Sequence, residues 1–398
     1  MLLRLAFGMF AVQAGFHGFT AALPLALARS GVPDPEIGLV MGAAALVQIP
    51  AAFIAGGLVD RFGGGRMFVL GAASYLLAGG ILFVARDPVG NVLPFLAARA
   101  IQGVGIASSI PAALSMIPLL VPHDRRGFAL AFGGSAQNLT LVVMPPLSIA
   151  ILGSRRSVDE VAAATAIFVV VGVLLAVGPA AEARRRQAAE AVRAGFEHRA
   201  GRLRISFRRS WALPLLTILL YVAHWGTVTA YLPARAEAAG ADVGLFFAAD
   251  GVAILALRVP TGWLADRIRG RWLVLGGLAL TFIAIALLLL RPTTLLMIAA
   301  GLIGGAGGGL VITPILVELS RRSDDRDRGS AFSLFSGALA GAIAIGSIGA
   351  APLIAVAGFE ATILAGLFAI VGAAIVAAAD RGLAVDPHRA ARSTRATG

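Results

Sequence analysis

Apolar runs follow one another along most of this chain, each about 20 residues long and so able to cross ~30 Å of hydrocarbon as a helix. Membrane-barrel strands alternate apolar and polar residues; these runs do not, so the spanning elements are helices. Twelve spans fit the pattern, near 5–28, 36–59, 67–85, 92–120, 127–152, 160–181, 211–236, 243–265, 272–290, 295–319, 329–357 and 359–379. Charged residues make up 14% of the chain, against ~25% in a soluble domain. The expected fold class is an all-α integral membrane protein of twelve transmembrane helices in two pseudo-symmetric six-helix halves. Arg4 followed by an apolar stretch to Ala26-Leu27-Ala28 looks like a signal peptide, but the run is too long for one and eleven spans follow. It reads as an uncleaved first span.

The segment 182–210 is the long polar interruption and carries nine arginines. It divides the chain into an N-terminal half, 1–181, a basic linker, 182–210, a C-terminal half, 211–379, and a polar tail, 380–398. All 33 basic residues are arginine, and the formal net charge is +12. In a soluble protein that would suggest nucleic acid. Here topology accounts for it, because cytoplasmic loops collect arginine. With an even number of spans both termini share a side. Placing them in the cytoplasm leaves only Arg29, Arg86, Arg155, Arg156, Arg235 and Arg291 outside, with Arg99 and Arg258 inside spans. Trp211 and Trp272 then open the seventh and ninth spans as interfacial anchors. The expected location is a bacterial-type inner (cytoplasmic) membrane, with the lipid bilayer and no nucleic acid as partner. The chain has no cysteine, so thiol chemistry is excluded.

One device occurs twice. Gly56-x-x-x-Asp60-Arg61-x-Gly63-x-x-Arg66 follows the second span, and Gly262-x-x-x-Asp266-Arg267-x-x-Gly270-Arg271 follows the eighth. Leu23-Pro24 matches Leu232-Pro233, and Pro111 matches Pro314, at similar offsets. Asp60 can reach the partly positive N-terminus of a neighbouring helix. Arg61 and Arg66 add donors, Gly56 permits close helix contact, and Gly63 to Gly65 permit a tight turn. The two turns read as charged latches on the cytoplasmic side. Duplicated halves around a midplane site are how many secondary transporters are built.

These residues resemble the major facilitator superfamily. Its signature after the second helix is met at Gly56, Asp60, Arg61, Gly63 and Arg66, with a departure at Gly65. The second copy meets it at Gly262, Asp266, Arg267 and Arg271, with Arg269 where glycine is usual. A further motif of that family, in the fourth span, is matched at Arg99, Gln102, Gly103, Gly105 and Ala107. The resemblance implies six-plus-six helices, a central cavity and alternating access by rocking.

A buried arginine in hydrocarbon needs a partner or a wet cavity. Arg99, Gln102 and Ser109 share a helical face, and in the resembled family such an arginine serves proton transfer or anion binding. Leu302 stands where the second half would pair it, so this charge is one-sided. Helices 1 and 7 should line the cavity. Gln13, His17 and Thr20 fall on one face of the first; Thr217, Tyr221, His224 and Tyr231 share a face of the seventh, with Trp225 beside them. Gln137, Asn138 and Thr140 in the fifth span are further candidates. Arg99 and Asp250 are the expected coupling residues, with Glu318 a lesser one; Asp250 lies two turns before Arg258.

No ATP-binding lysine loop, zinc pattern or nucleophile–base set is visible, so no cofactor, no metal and no enzymatic activity are expected. The expectation is a monomeric secondary transporter of a small organic solute, coupled to H⁺. Export stands slightly ahead of uptake because the cavity candidates are aromatic and weakly polar. Uptake of a sugar or organic acid, or a non-transporting receptor or scaffold, is the alternative.

Overall fold

A transmembrane helix must satisfy its own backbone hydrogen bonds, so any break in it has to be compensated nearby. The computed structural model describes residues 1–85, 88–122, 125–194, 207–265, 267–324 and 327–384. It is helical, without strands among these residues. Among the described residues eleven helices are long and apolar enough to cross a membrane, and a shorter apolar segment, Val243–Leu257, stands at the eighth position. The chain separates into two compact units, Met1–Arg204 and Ile205–Gly398.

In the first unit α1 (Leu2–His17) and α2 (Ala22–Arg29) form one interrupted span. There follow α3 (Asp34–Phe62), α4 (Gly64–Val84), α5 (Leu93–Leu120), α6 (Arg126–Leu152) and α7 (Asp159–Ala194). Pro33 caps α3, and Asp34 and Glu36 place negative charge on its positive end. Gly63, at φ +84°, ends α3 and starts α4 in a single residue, a conformation that favours glycine. The tight turn read from the sequence is therefore present. The close contact expected of Gly56 is not: a Cβ there would meet no described atom within 4 Å, and the same holds for Gly262. The sixth span also runs further than its apolar stretch, since α7 continues through Arg184–Arg186 to Ala194.

In the second unit a 3₁₀ turn, Arg209–Trp211, leads into α8 (Ala212–Ala238). Then come α9 (Val243–Ala265), α10 (Gly270–Leu287), α11 (Thr294–Arg321), α12 (Arg328–Ala344), a π-helical turn Ile345–Gly349, and α13 (Ala351–Ala379). Gly358, at φ +78°, breaks α13 at the boundary expected between the eleventh and twelfth spans. Trp272 is 63% exposed, as an interfacial residue should be. Trp211 is not an anchor of that kind. It is fully buried, and its indole N–H donates to the Arg322 carbonyl at 3.3 Å.

Each unit is held by backbones that approach at glycine. In the first, α5 packs against α3 and α4. A Cβ on Gly103 would lie 2.3 Å from the Ala44 carbonyl oxygen, and one on Gly71 2.9 Å from that of Gly105. In the second, α11 packs against α9 and α10 in the same way. A Cβ on Gly305 would lie 2.1 Å from the Asp250 carbonyl oxygen, and one on Gly277 2.7 Å from that of Gly307. The repeat is thus a repeat of contacts. By these contacts Gly301, not Leu302, occupies the place of Arg99; Leu302 is 44% exposed.

Gly103→Ala should cost about 1–3 kcal/mol of stability through overpacking, read as a lower midpoint of thermal unfolding in detergent. Gly56→Ala should leave the midpoint unchanged or raised. Equal losses at both positions would contradict this packing.

Candidate functional site

The break between α1 and α2 sets up the polar centre of the first unit. Phe19 N–H bonds to the Phe16 carbonyl at 3.2 Å and Thr20 N–H to that of His17 at 3.2 Å, a tightening to the 3₁₀ pattern. The Gly15 carbonyl, which a continuing α-helix would have paired with Phe19, accepts instead from Gln102 Nε2 at 2.9 Å. Gln102 Oε1 in turn accepts from Arg99 Nη1 at 2.7 Å. Arg99 Nη2 reaches the Met41 carbonyl at 3.4 Å, and its guanidinium lies 4.8 Å from the centre of the Phe16 ring. A cation over an aromatic face is attracted to it. So the charge shared across α1, α3 and α5 is held by carbonyls, an amide and a ring. No carboxylate pairs with it among the described residues.

Beside it, Gln13 Oε1 accepts from the Tyr75 hydroxyl at 2.9 Å and from Ser109 Oγ at 3.1 Å. Tyr75 on α4 was not singled out from the sequence. Its signal was modest: it is one of only three tyrosines in the chain, set within an apolar span. Four buried polar atoms of this region have no hydrogen-bond partner among the described residues: Gln13 Nε2, His17 Nδ1, Thr20 Oγ1 and Arg99 Nε. Nearly all buried polar groups in proteins are paired, and leaving one unpaired costs ~1–3 kcal/mol. Arg99 and Gln102 are thus joined to each other and to α1 at Gly15, and Gln13 is joined to α5 at Ser109. From the fifth span, Thr140 donates to the Phe10 carbonyl at 3.3 Å and Asn138 is half-buried. The Gln137 side chain lies outside the described residues.

The second unit arranges its candidates differently. Asp250 on α9 is buried, and its Oδ2 has no partner among the described residues. Its Oδ1 lies 3.6 Å from the Cβ that Gly304 lacks. Glycine on α11 thus leaves room for a carboxylate where the first unit has Ala44. The Arg258 side chain lies outside the described residues. The Tyr221 hydroxyl faces Gly308, 3.2 Å from a Cβ there. His224 Nδ1 donates to the Tyr221 carbonyl, which can only accept and so places a proton on Nδ1.

Tyr231, placed on the same face by its spacing, bonds to another element. Its hydroxyl donates to the Ser347 carbonyl at 2.6 Å, and Thr227 donates to that of Gly346 at 2.9 Å. Both satisfy carbonyls of the π-helical turn, where the regular pairing is disrupted. Trp225 packs elsewhere, stacked 6.4 Å from Phe246 and edge-on 5.9 Å from Phe247. Thr217 bonds to its own helix at Leu213.

The arginine-rich ends carry ion pairs. Arg322 bonds to Glu318 at 2.8 Å, to Asp380 at 2.6 Å and to the Ser210 carbonyl at 2.6 Å. Glu318 is therefore committed to a pair, against its reading as a proton site. Arg271 of the second latch donates to the Asp380 carbonyl at 3.2 Å. Arg267 stacks 3.6 Å over the Trp263 ring. Arg208 bonds to Asp324 and to Asp327, and these carboxylates hold its pKa above the ordinary value. Arg61 and Arg66 are exposed. The Asp60 side chain and all of Asp266 lie outside the described residues.

The sequence pattern of the Major Facilitator Superfamily matches residues 5–249 and 216–397. The chain belongs to this superfamily. Its members are transporters rather than enzymes, and the chain is a multi-pass membrane protein. An uncharacterized transporter of the same superfamily from Mycobacterium tuberculosis is 28% identical over 138 residues, 35% of this chain. The match spans only 23% of that protein. A D-xylose–proton symporter superposes with a TM-score of 0.71 at 17% identity, covering 94% of this chain and 96% of the other. A peptide transporter of the POT type gives 0.75 at 15% identity, covering 96% and 94%. A human organic anion transporter gives 0.66 at 15% identity, covering 94% and 98%. These likenesses establish the superfamily fold.

Gln102→Leu would leave both the Gly15 carbonyl and Arg99 Nη1 without their partner. The expected loss is about 1–3 kcal/mol per stranded group, read by thermal unfolding in detergent. A midpoint equal to wild type would show that neither bond matters.

Proposed function

We propose that this chain is a secondary transporter moving a small organic solute by alternating access, coupled to H⁺, with export ahead of uptake. The observation that carries this reading is the set of four unpartnered polar atoms around the α1–α2 break. In hydrocarbon such atoms are costly and mark substrate or ion pathways. Gln13, His17, Thr20 and Gln102 bind the solute, and Gln137 and Asn138 extend that site. Tyr221, His224, Trp225 and Tyr231 are the contributions of the second half, Tyr231 through its hold on the π-helical turn. Arg99 and Asp250 couple solute to proton, since each is a buried ionisable group lacking an opposite charge among the described residues. Gly56, Asp60, Arg61, Gly63, Arg66, Gly262, Asp266, Arg267 and Arg271 gate the path. The protein works as a monomer in the cytoplasmic membrane, with both termini in the cytoplasm.

A second reading, uptake of an organic acid, is favoured by one observation. Arg99 has a free Nε and no carboxylate partner, so a solute carboxylate would complete its shell.

Proteoliposomes with a pH-sensitive dye inside separate these readings. With a panel of organic acids, sugars and amphipathic cations, an effective solute should drive proton movement that is lost in Arg99→Ala and in Asp250→Asn. Proton flux opposite to the solute gradient indicates export by exchange; flux in the same direction indicates uptake. Solute flux with no proton movement would overturn the coupling.

A further inference from the structure

At the arginine-rich end of the first unit lies a cavity of about 390 Å³, apart from the polar centre. Its floor depends on glycine. A Cβ on Gly64 would lie 2.6 Å from Ser115 Oγ, and one on Gly65 2.9 Å from the Ala180 Cβ. The start of α4 is thereby drawn in against α5 and α7. Arg61, Arg66 and Arg184 stand around the rim, and Phe62, Met116 and Leu119 supply apolar wall. None of the three arginines has a carboxylate partner among the described residues, whereas Arg186 nearby is paired with Glu182 at 2.7 Å. The N-terminus of α4 opens onto the same space, adding the positive end of a 21-residue helix.

Exposed apolar side chains stand on two of the helices that line the cavity, α3 and α7. Phe62 is 44% exposed, and Ile54, two turns before it on the same face of α3, is 52% exposed. Val177, 58% exposed, lies two turns before Arg184 on α7. A ligand held by the arginines would therefore have an apolar track leading away from its head. Positive charge beside exposed apolar side chains is an arrangement that suits an anionic amphiphile.

We propose that this cavity binds the phosphate headgroup of an anionic phospholipid, with Arg61, Arg66 and Arg184 on the phosphate and its acyl chains along the exposed apolar residues Phe62 and Ile54 of α3 and Val177 of α7. The site lies apart from the polar centre but takes in Arg61 and Arg66 of the proposed gate, and the lipid acts as a bound structural partner of the first unit.

The test uses the full-length protein in detergent and native mass spectrometry, with dioleoyl phosphatidylglycerol and dioleoyl phosphatidylcholine at equal concentration. The phosphatidylglycerol adduct should dominate. Arg184→Gln should weaken it roughly fivefold, as for one basic residue at an anionic surface. Arg185→Gln makes the same change of charge at an exposed neighbour outside the cavity and should leave the adduct intact. Gln187→Glu, which adds a repelling charge to the lining without removing an arginine, should weaken it too. Equal losses in Arg184→Gln and Arg185→Gln would reduce the effect to general attraction and overturn the site. So would equal retention of the two lipids. If millimolar inorganic phosphate displaces the lipid and raises the unfolding midpoint as much as phosphatidylglycerol does, the cavity serves a free phosphate and the lipid assignment fails.

Discussion

The α5 backbone lies against the Ala44 carbonyl at Gly103, and the α11 backbone lies against the Asp250 carbonyl at Gly305. Without hydrophobic exclusion to drive helices together in lipid, close approach at small residues is a main source of association. Much else in each unit follows from these contacts. In the first, closeness brings the Arg99 guanidinium within reach of the Met41 carbonyl. In the second, it brings Asp250 beside the bare backbone of Gly304. The two halves thus share a packing scheme but place their buried charge differently, an arginine on the fourth span and a carboxylate on the eighth.

Polar satisfaction then decides the finer structure. A break at Gly18–Ala21 releases the Gly15 carbonyl, and Gln102 takes it up. A π-helical turn disturbs the carbonyls of Gly346 and Ser347, and Thr227 and Tyr231 take those up. Irregular backbone at membrane depth persists only where side chains replace the lost bonds. What remains unpaired at Gln13, His17, Thr20 and Arg99 is therefore informative.

The span pattern, the duplication and the boundary between 357 and 359 were legible from apolar run length and the repeated motif, because those signals lie within short stretches of sequence. The Arg99–Gln102 face was legible because residues three apart on a helix are neighbours. Tyr75 was not, since its bond to Gln13 joins residues 62 apart. Nothing local marks the π-helical turn, so the bond from Tyr231 to Ser347, 116 residues away, was not legible. Trp211 was misread for a related reason. Span-end position suggests a tryptophan in the interface, but the ring is fully buried and its indole N–H bonds to the Arg322 carbonyl. Leu302 was taken as the partner position by counting from proline, whereas the contacts set the register one residue earlier.

The central claim is that the α1–α2 break is where the solute path passes. The chain contains no cysteine, so a single thiol introduced by Thr20→Cys reports alone. A membrane-impermeant maleimide would be applied to right-side-out and to inside-out vesicles, with denatured protein as the control for a competent thiol. Alternating access predicts labelling from both sides. A thiol that reacts only after denaturation would show that the break is sealed packing, and would contradict the account.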